Sequence, residues 1–180
     1  RSLERILAIE PDNAEAATLL APIYEARNDV RKLPQVLEIV LENTHEPAAR
    51  YDLFVRLAEL QAKQLRDPES ALQNYVEALA IRPEAEPLYR AMLDTAERAG
   101  DWQNLDSAWA DARMALEGDD AHRDAWLKLT RMHGNMLEVR RNDDDAALDA
   151  ADAILSQIPG DDEALSVRER IFRRREAWDY

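Results

Sequence analysis

The residues that could bind a metal ion are present but poorly spaced. The three histidines, His45, His122 and His133, lie far apart, and none is one helical turn from another, so no histidine-pair metal site is predicted. We interpret these histidines as solvated or capping residues. The acidic run "NDDDAALDAAD" at 142–152 lacks the central glycine and the bidentate glutamate of an EF-hand calcium loop. Asp143–Asp145, like the pair Asp161 and Asp162, are explained instead as acids at a helix N-terminus, where the helix dipole favours negative charge.

Catalytic chemistry finds no support in the sequence. There is no Ser/His/Asp grouping, no glycine-rich phosphate loop and no paired-carboxylate motif. The chain has no cysteine, which excludes disulfides, thiolate metal sites and cysteine nucleophiles. We therefore predict a protein that is not an enzyme and that has no catalytic residues, metal site or cofactor.

Composition points to a helical protein that avoids nucleic acid. Four glycines among 180 residues argue against the many tight turns of an all-β fold, and no apolar run approaches the ~20 residues of a membrane-spanning helix. The formal net charge of -14 disfavours nonspecific nucleic-acid binding, which needs a cationic surface to release counterions. Arginine outnumbers lysine twenty to three, which we interpret as a GC-rich bacterial genome. Nothing in the sequence fixes the compartment, and the cytoplasm is the default expectation.

Helix-stopping residues recur at a regular interval. Pro11, Pro47 and Pro83 are 36 residues apart, Pro159 follows two intervals later, and "EGDD" at 117–120 occupies the skipped position. A period of this size indicates stacked repeats, and proline suits the turn because it cannot continue the preceding helix. Gly134 interrupts a helical pattern, where it would allow a bend or close packing. The predicted units are 1–11 as a half repeat, 12–46, 47–83, 84–119, 120–159, and 160–180 as a second half repeat.

Within each period, apolar spacing predicts two helices. After Pro11, a first helix with Asn13 as its N-cap is followed by a second over "VRKLPQVLEIVLEN". The later helices are predicted near 48–65, 68–82, 85–99, 102–116, 121–141, 144–157 and 161–175. The third unit carries one extra residue near 65–67, and the fifth carries about one extra helical turn. Trp102 and Trp178 both fall at the start of a second helix, which makes them structural.

These motifs resemble those of the tetratricopeptide repeat (TPR) family across nearly the whole chain. "LLAPIY" at 19–24 supplies the leucine, small residue and aromatic of a first helix, and "SALQNYVEALAIRP" at 70–83 supplies alanine, aromatic, alanine and proline at the motif's spacing. The pattern also resembles long repeat arrays of bacterial scaffold proteins. The resemblance implies an all-α, right-handed superhelical solenoid of antiparallel helix pairs. It also implies a role as a scaffold or adaptor that binds a partner peptide or domain in its concave groove.

In this family the first helix of each pair lines the groove. Carried onto this chain, that rule predicts a lining that is acidic early and basic late, ending in the arginine cluster of "VRERIFRRR" at 167–175. The Lys/Asn/Arg pattern with which some TPR domains hold a terminal carboxylate is not recognisable. The predicted lining residues are Glu15, Thr18, Pro22, Glu25, Asp52, Val55, Glu59, Lys63, Arg90, Asp94, Glu97, Arg98, Asp124, Leu127, Arg131, Asn135, Ser166, Arg170, Arg173 and Arg174.

Three alternatives to a peptide-binding scaffold stay open at this point. The first is RNA binding by a related half-a-TPR array, with the arginine cluster at 168–175 touching phosphates. The second is a regulatory domain of an enzyme outside this chain, because the chain is expected to be a fragment of a larger protein trimmed at both ends. The third is self-association through apolar end helices, since an uncapped repeat array exposes its core.

Overall fold

The computed structural model of the chain describes residues 2–176, and these residues are all-α, with no strand among them. None of the described helices is both long and apolar enough to cross a membrane. Trp178 lies outside the described residues. A short 3₁₀ turn, Asp120–His122, precedes the eighth helix. The α-helices are α1 (Ser2–Ile9), α2 (Ala14–Ala26), α3 (Leu33–Glu42), α4 (Pro47–Leu60), α5 (Pro68–Ile81), α6 (Glu86–Ala99), α7 (Trp102–Leu116), α8 (Arg123–Arg140), α9 (Asp144–Gln157) and α10 (Asp162–Glu176).

Helix starts follow the capping residues in the sequence. Asn13 caps α2, since its side chain accepts from the Ala16 amide at 2.9 Å, as predicted. Asp143 accepts from the Ala146 amide at 3.0 Å and Asp161 from the Ala164 amide at 2.9 Å, so these acids cap α9 and α10. Each bond satisfies an amide that the helix itself leaves without a partner. The prediction that Asp143 and Asp161 lie at helix N-termini is therefore confirmed.

Four turns between consecutive helices share one two-residue motif. A residue with positive φ ends the first helix, and an aspartate follows whose side chain accepts the amide three residues on. The left-handed residue releases the chain from the helix. Asp67, Asp101 and Asp143 then cap the next helix, whereas α3 begins only at Leu33, four residues after Asp29. At three of the four turns the two joined helices contact each other: α2 with α3, α4 with α5, and α8 with α9. The four pairs are Asn28–Asp29, Arg66–Asp67, Gly100–Asp101 and Asn142–Asp143.

The extra residue of the third predicted unit forms a π-helix. Gln61–Leu65 continues α4 with wider turns and ends at Arg66, whose φ is 55°. Its freed carbonyls find new donors: the Asp67 amide bonds the Gln61 carbonyl at 3.0 Å, and the Arg98 guanidinium bonds the Ala62 carbonyl at 3.3 Å. One inserted residue is thus absorbed without breaking the helix. The extra turn of the fifth predicted unit lengthens α8, which has 18 residues against 14 for α4 and for α6.

The chain divides into two compact units whose boundary falls within α6. The first unit comprises Arg1–Arg82 and Asp94–Ala99, and the second comprises Pro83–Leu93 and Gly100–Tyr180. In the first unit, α1 packs on α2, α2 on α3, α3 on α4, and α4 on α5; in the second, α7 packs on α8, α8 on α9, and α9 on α10. Within each unit, these helices thus contact their neighbours in sequence. The single repeat array over 1–180 and its unit boundaries stay a prediction.

Small residues let these helices approach closely. Ala58, Ala71 and Ala78 are fully buried in the first unit, which is the packing expected of alanine between helices. In the second unit, a Cβ built on Gly134 would lie 3.1 Å from the Cβ of Ala150. Gly134 therefore serves close packing of α8 against α9.

Candidate partner-binding surface

Most of the predicted groove residues are exposed. On α2 and α4, Glu15, Thr18, Pro22, Glu25, Asp52 and Glu59 are exposed, Val55 is half-buried, and Lys63 is exposed on the π-helix. On α6, Arg90, Asp94, Glu97 and Arg98 are exposed. On α8 and α10, Asp124, Asn135, Ser166, Arg170, Arg173 and Arg174 are exposed, and Arg131 is half-buried.

Leu127 is the one predicted residue that does not fit an exposed surface. It is only 9% exposed and belongs to the core of the second unit. Its neighbours in sequence on α8, Trp126 and Leu129, are buried as well. The buried part of α8 is therefore wider than one helical stripe, and Leu127 is removed from the candidate surface.

The first unit contains a cavity of about 370 Å³. Its walls come from the end of α2, the following loop, the start of α3, the end of α4 and the π-helix. Three predicted groove residues, Glu25, Glu59 and Lys63, line it. The remaining lining residues are Asn28, Val30, Leu33, Leu37, Arg56, Leu60 and Gln64.

This cavity has an apolar floor and a charged rim. Leu33, Leu37 and Leu60 are buried. On the rim, Arg56 pairs with Glu25 and joins α4 to α2. The Lys63 ammonium pairs with the Glu59 carboxylate at 3.0 Å.

Both rim pairs are easy to rearrange. Their side chains are all 42% exposed or more, and exposed pairs contribute about 0–1 kcal/mol each. A partner's own charged groups can therefore exchange with them at low cost. The rim carries two carboxylates and two cations, so its formal charge is balanced.

The helices beside the cavity offer further polar groups. Pro22 lies inside α2 and has no N–H, so the Thr18 carbonyl lacks its usual helical donor. Both residues are exposed. α2 therefore carries one backbone carbonyl outside its own helical hydrogen bonding.

A second cavity, of about 180 Å³, lies among α8, α9 and α10 of the second unit. Four predicted groove residues, Arg131, Asn135, Ser166 and Arg170, line it. Its floor is made of small residues, Gly134, Ala147, Ala150, Ala151 and Ala164. Arg131 pairs with Asp161 and lies 3.1 Å from Glu163, so this cationic group is already neutralised.

The arginine cluster at 168–175 is bound to carboxylates of its own unit. Arg170 contacts Glu138 at 2.6 Å, and Arg174 contacts Asp144 and Glu138. The other three pairs are Arg168 with Asp152, Arg173 with Glu169, and Arg175 with Asp145. The hydrogen bond from Arg170 holds the pKa of Glu138 below its usual range. The predicted basic end of the groove is thus largely neutralised within the chain.

His133 differs from the predicted solvated or capping residue. It is 2% exposed and lies in the core between α7 and α8, and burial lowers the pKa of its imidazole. A sequence signal existed, since His133 lies four residues from both Leu129 and Leu137, which are buried on α8. The side chain of His122, by contrast, is 42% exposed and pairs with Asp119 at 2.8 Å. That hydrogen bond raises the pKa of His122.

No family model matches the chain, and no curated protein matches it in sequence. Among solved structures, the crystal structure of BtubC (BKLC) from P. vanneervenii resembles it with a TM-score of 0.47 and 15% sequence identity. That alignment covers 99% of this chain and 87% of the other.

Proposed function

We propose that the chain is a non-enzymatic protein–protein interaction module, a scaffold or adaptor built from TPR-like helix pairs that stack in sequence as a right-handed solenoid. The repeated turn motif and the packing of sequence-neighbouring helices within each unit support the repeat character. A helix pair cannot bury its apolar face alone, so stacked pairs complete each other's core. Their first helices then remain free to contact a partner.

The observation that carries the proposed function is the cavity of about 370 Å³ in the first unit. It combines an apolar floor with exposed ion pairs, and it is lined partly by residues that the sequence places in a groove. An occupant with one bulky apolar side chain, flanked by one acid and one base, matches these features. Apolar anchors in a polar rim are the usual source of affinity in protein recognition.

The cavity alone supports only modest affinity. Full burial of one leucine or phenylalanine side chain contributes about 1.5–3 kcal/mol. Further contacts with exposed groups of α2 and α4, such as Thr18 and Asp52, must add to the anchor. The partner is therefore a segment several residues long that extends beyond the cavity.

A peptide selection tests the proposed function. A displayed library of random peptides about a dozen residues long is selected on the protein, and the enriched peptides are measured by fluorescence anisotropy. The blocking variant is Gln64→Trp, which puts an indole at the cavity mouth from an exposed position. The matched control is Gln73→Trp, an exposed position of α5.

The proposal expects enriched peptides with a bulky apolar residue and balanced charge. Their affinity should fall at least about tenfold, or about 1.4 kcal/mol, in Gln64→Trp and stay unchanged in Gln73→Trp. Failure to enrich any peptide would contradict an interaction module of this kind. Peptides that bind both variants equally would contradict the cavity as the anchor site.

Self-association is a second candidate, favoured by exposed apolar side chains. On α1, Ile6 is 39% and Ile9 is 78% exposed; on α10, Leu165 and Phe172 are 43% and 44% exposed. Copies of the chain could bury these residues against each other. Light scattering over a range of concentrations tests this, with a strict monomer as the contradicting result.

A further inference from the structure

His133 lies at the centre of a three-residue hydrogen-bonded chain that joins α7 to α8. Its Nδ1 is 3.2 Å from Nη1 of Arg113, and its Nε2 is 2.8 Å from Oδ1 of Asp106. Trp109 covers the imidazole edge-on, with ring centroids 6.0 Å apart and planes at 84°. Three residues of α7 therefore hold one side chain of α8.

The partners fix the protonation state of this imidazole. An arginine guanidinium only donates, so Nδ1 of His133 must accept the Arg113 hydrogen. Asp106 only accepts when ionised, so Nε2 must carry the hydrogen and donate it. The arrangement thus requires the neutral Nε2–H tautomer.

We propose that His133 makes the contact between α7 and α8 an acid-sensitive joint, closed while the imidazole is neutral and weakened when the imidazole takes up a proton. A proton on Nδ1 would point directly at an N–H of Arg113. Two cationic donors would then face each other in the core, and neither could remain without a partner at low cost. Relieving the conflict means moving Arg113 or His133 out of the contact that joins α7 to α8.

Other charged groups around the joint do not remove this conflict. On α7, Asp106 favours the protonated imidazole, whereas Arg113 and burial oppose it. Directly after α8, Arg141 lies 3.7 Å from Asp106 and shares its carboxylate. Glu117, directly after α7, and Asp149 of α9 act on Arg113 and help to keep it charged. The net effect of burial and neighbours lowers the pKa of His133.

The pH window follows from the sign of that shift. The unfolded chain has a histidine pKa of about 6.5, and the folded value lies below it. The unfolded state therefore binds the proton first as pH falls. The stability that this group contributes is fully present above about pH 6.5 and is lost as the pH falls towards the folded pKa. Over that range the equilibrium constant for unfolding rises by at most about tenfold per pH unit.

The joint is independent of the proposed function, because it is defined by contacts within the second unit alone. α8 also lines the cavity of about 180 Å³ through Gly134 and Asn135. A shift of α8 would therefore change that cavity too. The proposed function rests on the first-unit cavity, which this shift does not involve.

Nitrogen NMR of the wild-type protein is the first test, and it needs no variant. The expected result is an Nε2–H tautomer at pH 7.5 and titration of His133 below 6.5. Hydrogen exchange, corrected for the intrinsic rate, should show loss of protection in α7 and α8 between pH 7.5 and 5.5, while α2 to α4 stay protected. An Nδ1–H tautomer, or a pKa at or above 6.5, would overturn the proposal.

A pair of variants separates His133 from the other titrating groups. His133→Gln keeps one donor and one acceptor but cannot be protonated. In this variant α7 and α8 should therefore keep their hydrogen-exchange protection between pH 7.5 and 5.5. His122→Gln, at the exposed histidine of the same unit, should retain the wild-type loss. Equal pH dependence in His133→Gln and the wild type would contradict the joint.

Discussion

Arg170 of α10 binds the buried carboxylate of Glu138 of α8 through two hydrogen bonds, Nε to Oε1 at 2.9 Å and Nη2 to Oε2 at 2.6 Å. The Glu138 side chain is only 4% exposed, while that of Arg170 is 52% exposed. The exposed guanidinium of Arg170 therefore neutralises a carboxylate that is buried in the core. This arrangement explains why a strongly basic segment fits in a chain of net charge -14.

Arg170→Met should destabilise the second unit, because it leaves Glu138 buried with only the more distant Arg174 at 3.4 Å. The expected loss is about 1–3 kcal/mol in the free energy of unfolding. Urea denaturation measures it. Arg173→Met removes an exposed pair with Glu169 and should change stability by less than about 1 kcal/mol. Equal effects of the two variants would contradict the account of Glu138.

Ala78→Leu should overpack the first unit, since Ala78 is fully buried. The expected cost is about 1–3 kcal/mol, read as a lower thermal midpoint. Ala80→Leu makes the same change at an exposed position of the same helix and serves as the control. If Ala78→Leu melts at the wild-type temperature, Ala78 does not lie at a close helix contact.

The positive-φ turn residues predict opposite effects of two substitutions. Arg66 has φ 55°, which is strained for a residue with a Cβ, so Arg66→Gly should stabilise by about 0.5–1 kcal/mol. Gly100 has φ 70°, and a Cβ there would contact nothing within 4 Å. Gly100→Ala should therefore lose about 1 kcal/mol through its backbone alone. Chemical denaturation checks both, and the same sign for the two variants would rule out this explanation of the turns.

RNA binding through the arginine cluster is expected to be absent. Each arginine at 168, 170, 173, 174 and 175 is paired with a carboxylate, so few cations remain to displace counterions from phosphates. A gel-shift assay with single-stranded RNA at low salt should show no complex. A salt-dependent shift that Arg173→Glu and Arg175→Glu abolish would instead support the RNA alternative.

Much of the helical pattern was predictable because the residues that start and end helices act locally in the sequence. The predicted helix at 102–116 coincides with α7, and Asn13 and Asp143 cap as expected. An extra residue near 65–67 was visible in the sequence, but the π-helix that absorbs it was not, because its freed carbonyls depend on partners such as Arg98 from another helix.

The charges of the candidate surface were harder to predict because their partners are distant in sequence. Glu138 and Arg170 are 32 residues apart, and Asp145 and Arg175 are 30 apart. A spacing near one repeat period brings such residues together on neighbouring helices, so the pairing was in principle readable from the repeat. The sequence of α10 alone indicates a basic surface, because most carboxylate partners of its arginines lie on α8 and α9.

Amide chemical-shift mapping with a selected peptide is the most direct test of the proposed binding role. The account predicts that the shifted amides cluster around the first-unit cavity, from the end of α2 to the start of α3 and from the end of α4 through the π-helix. Shifts confined to helices that do not line this cavity, or no shifts at saturating peptide, would contradict it.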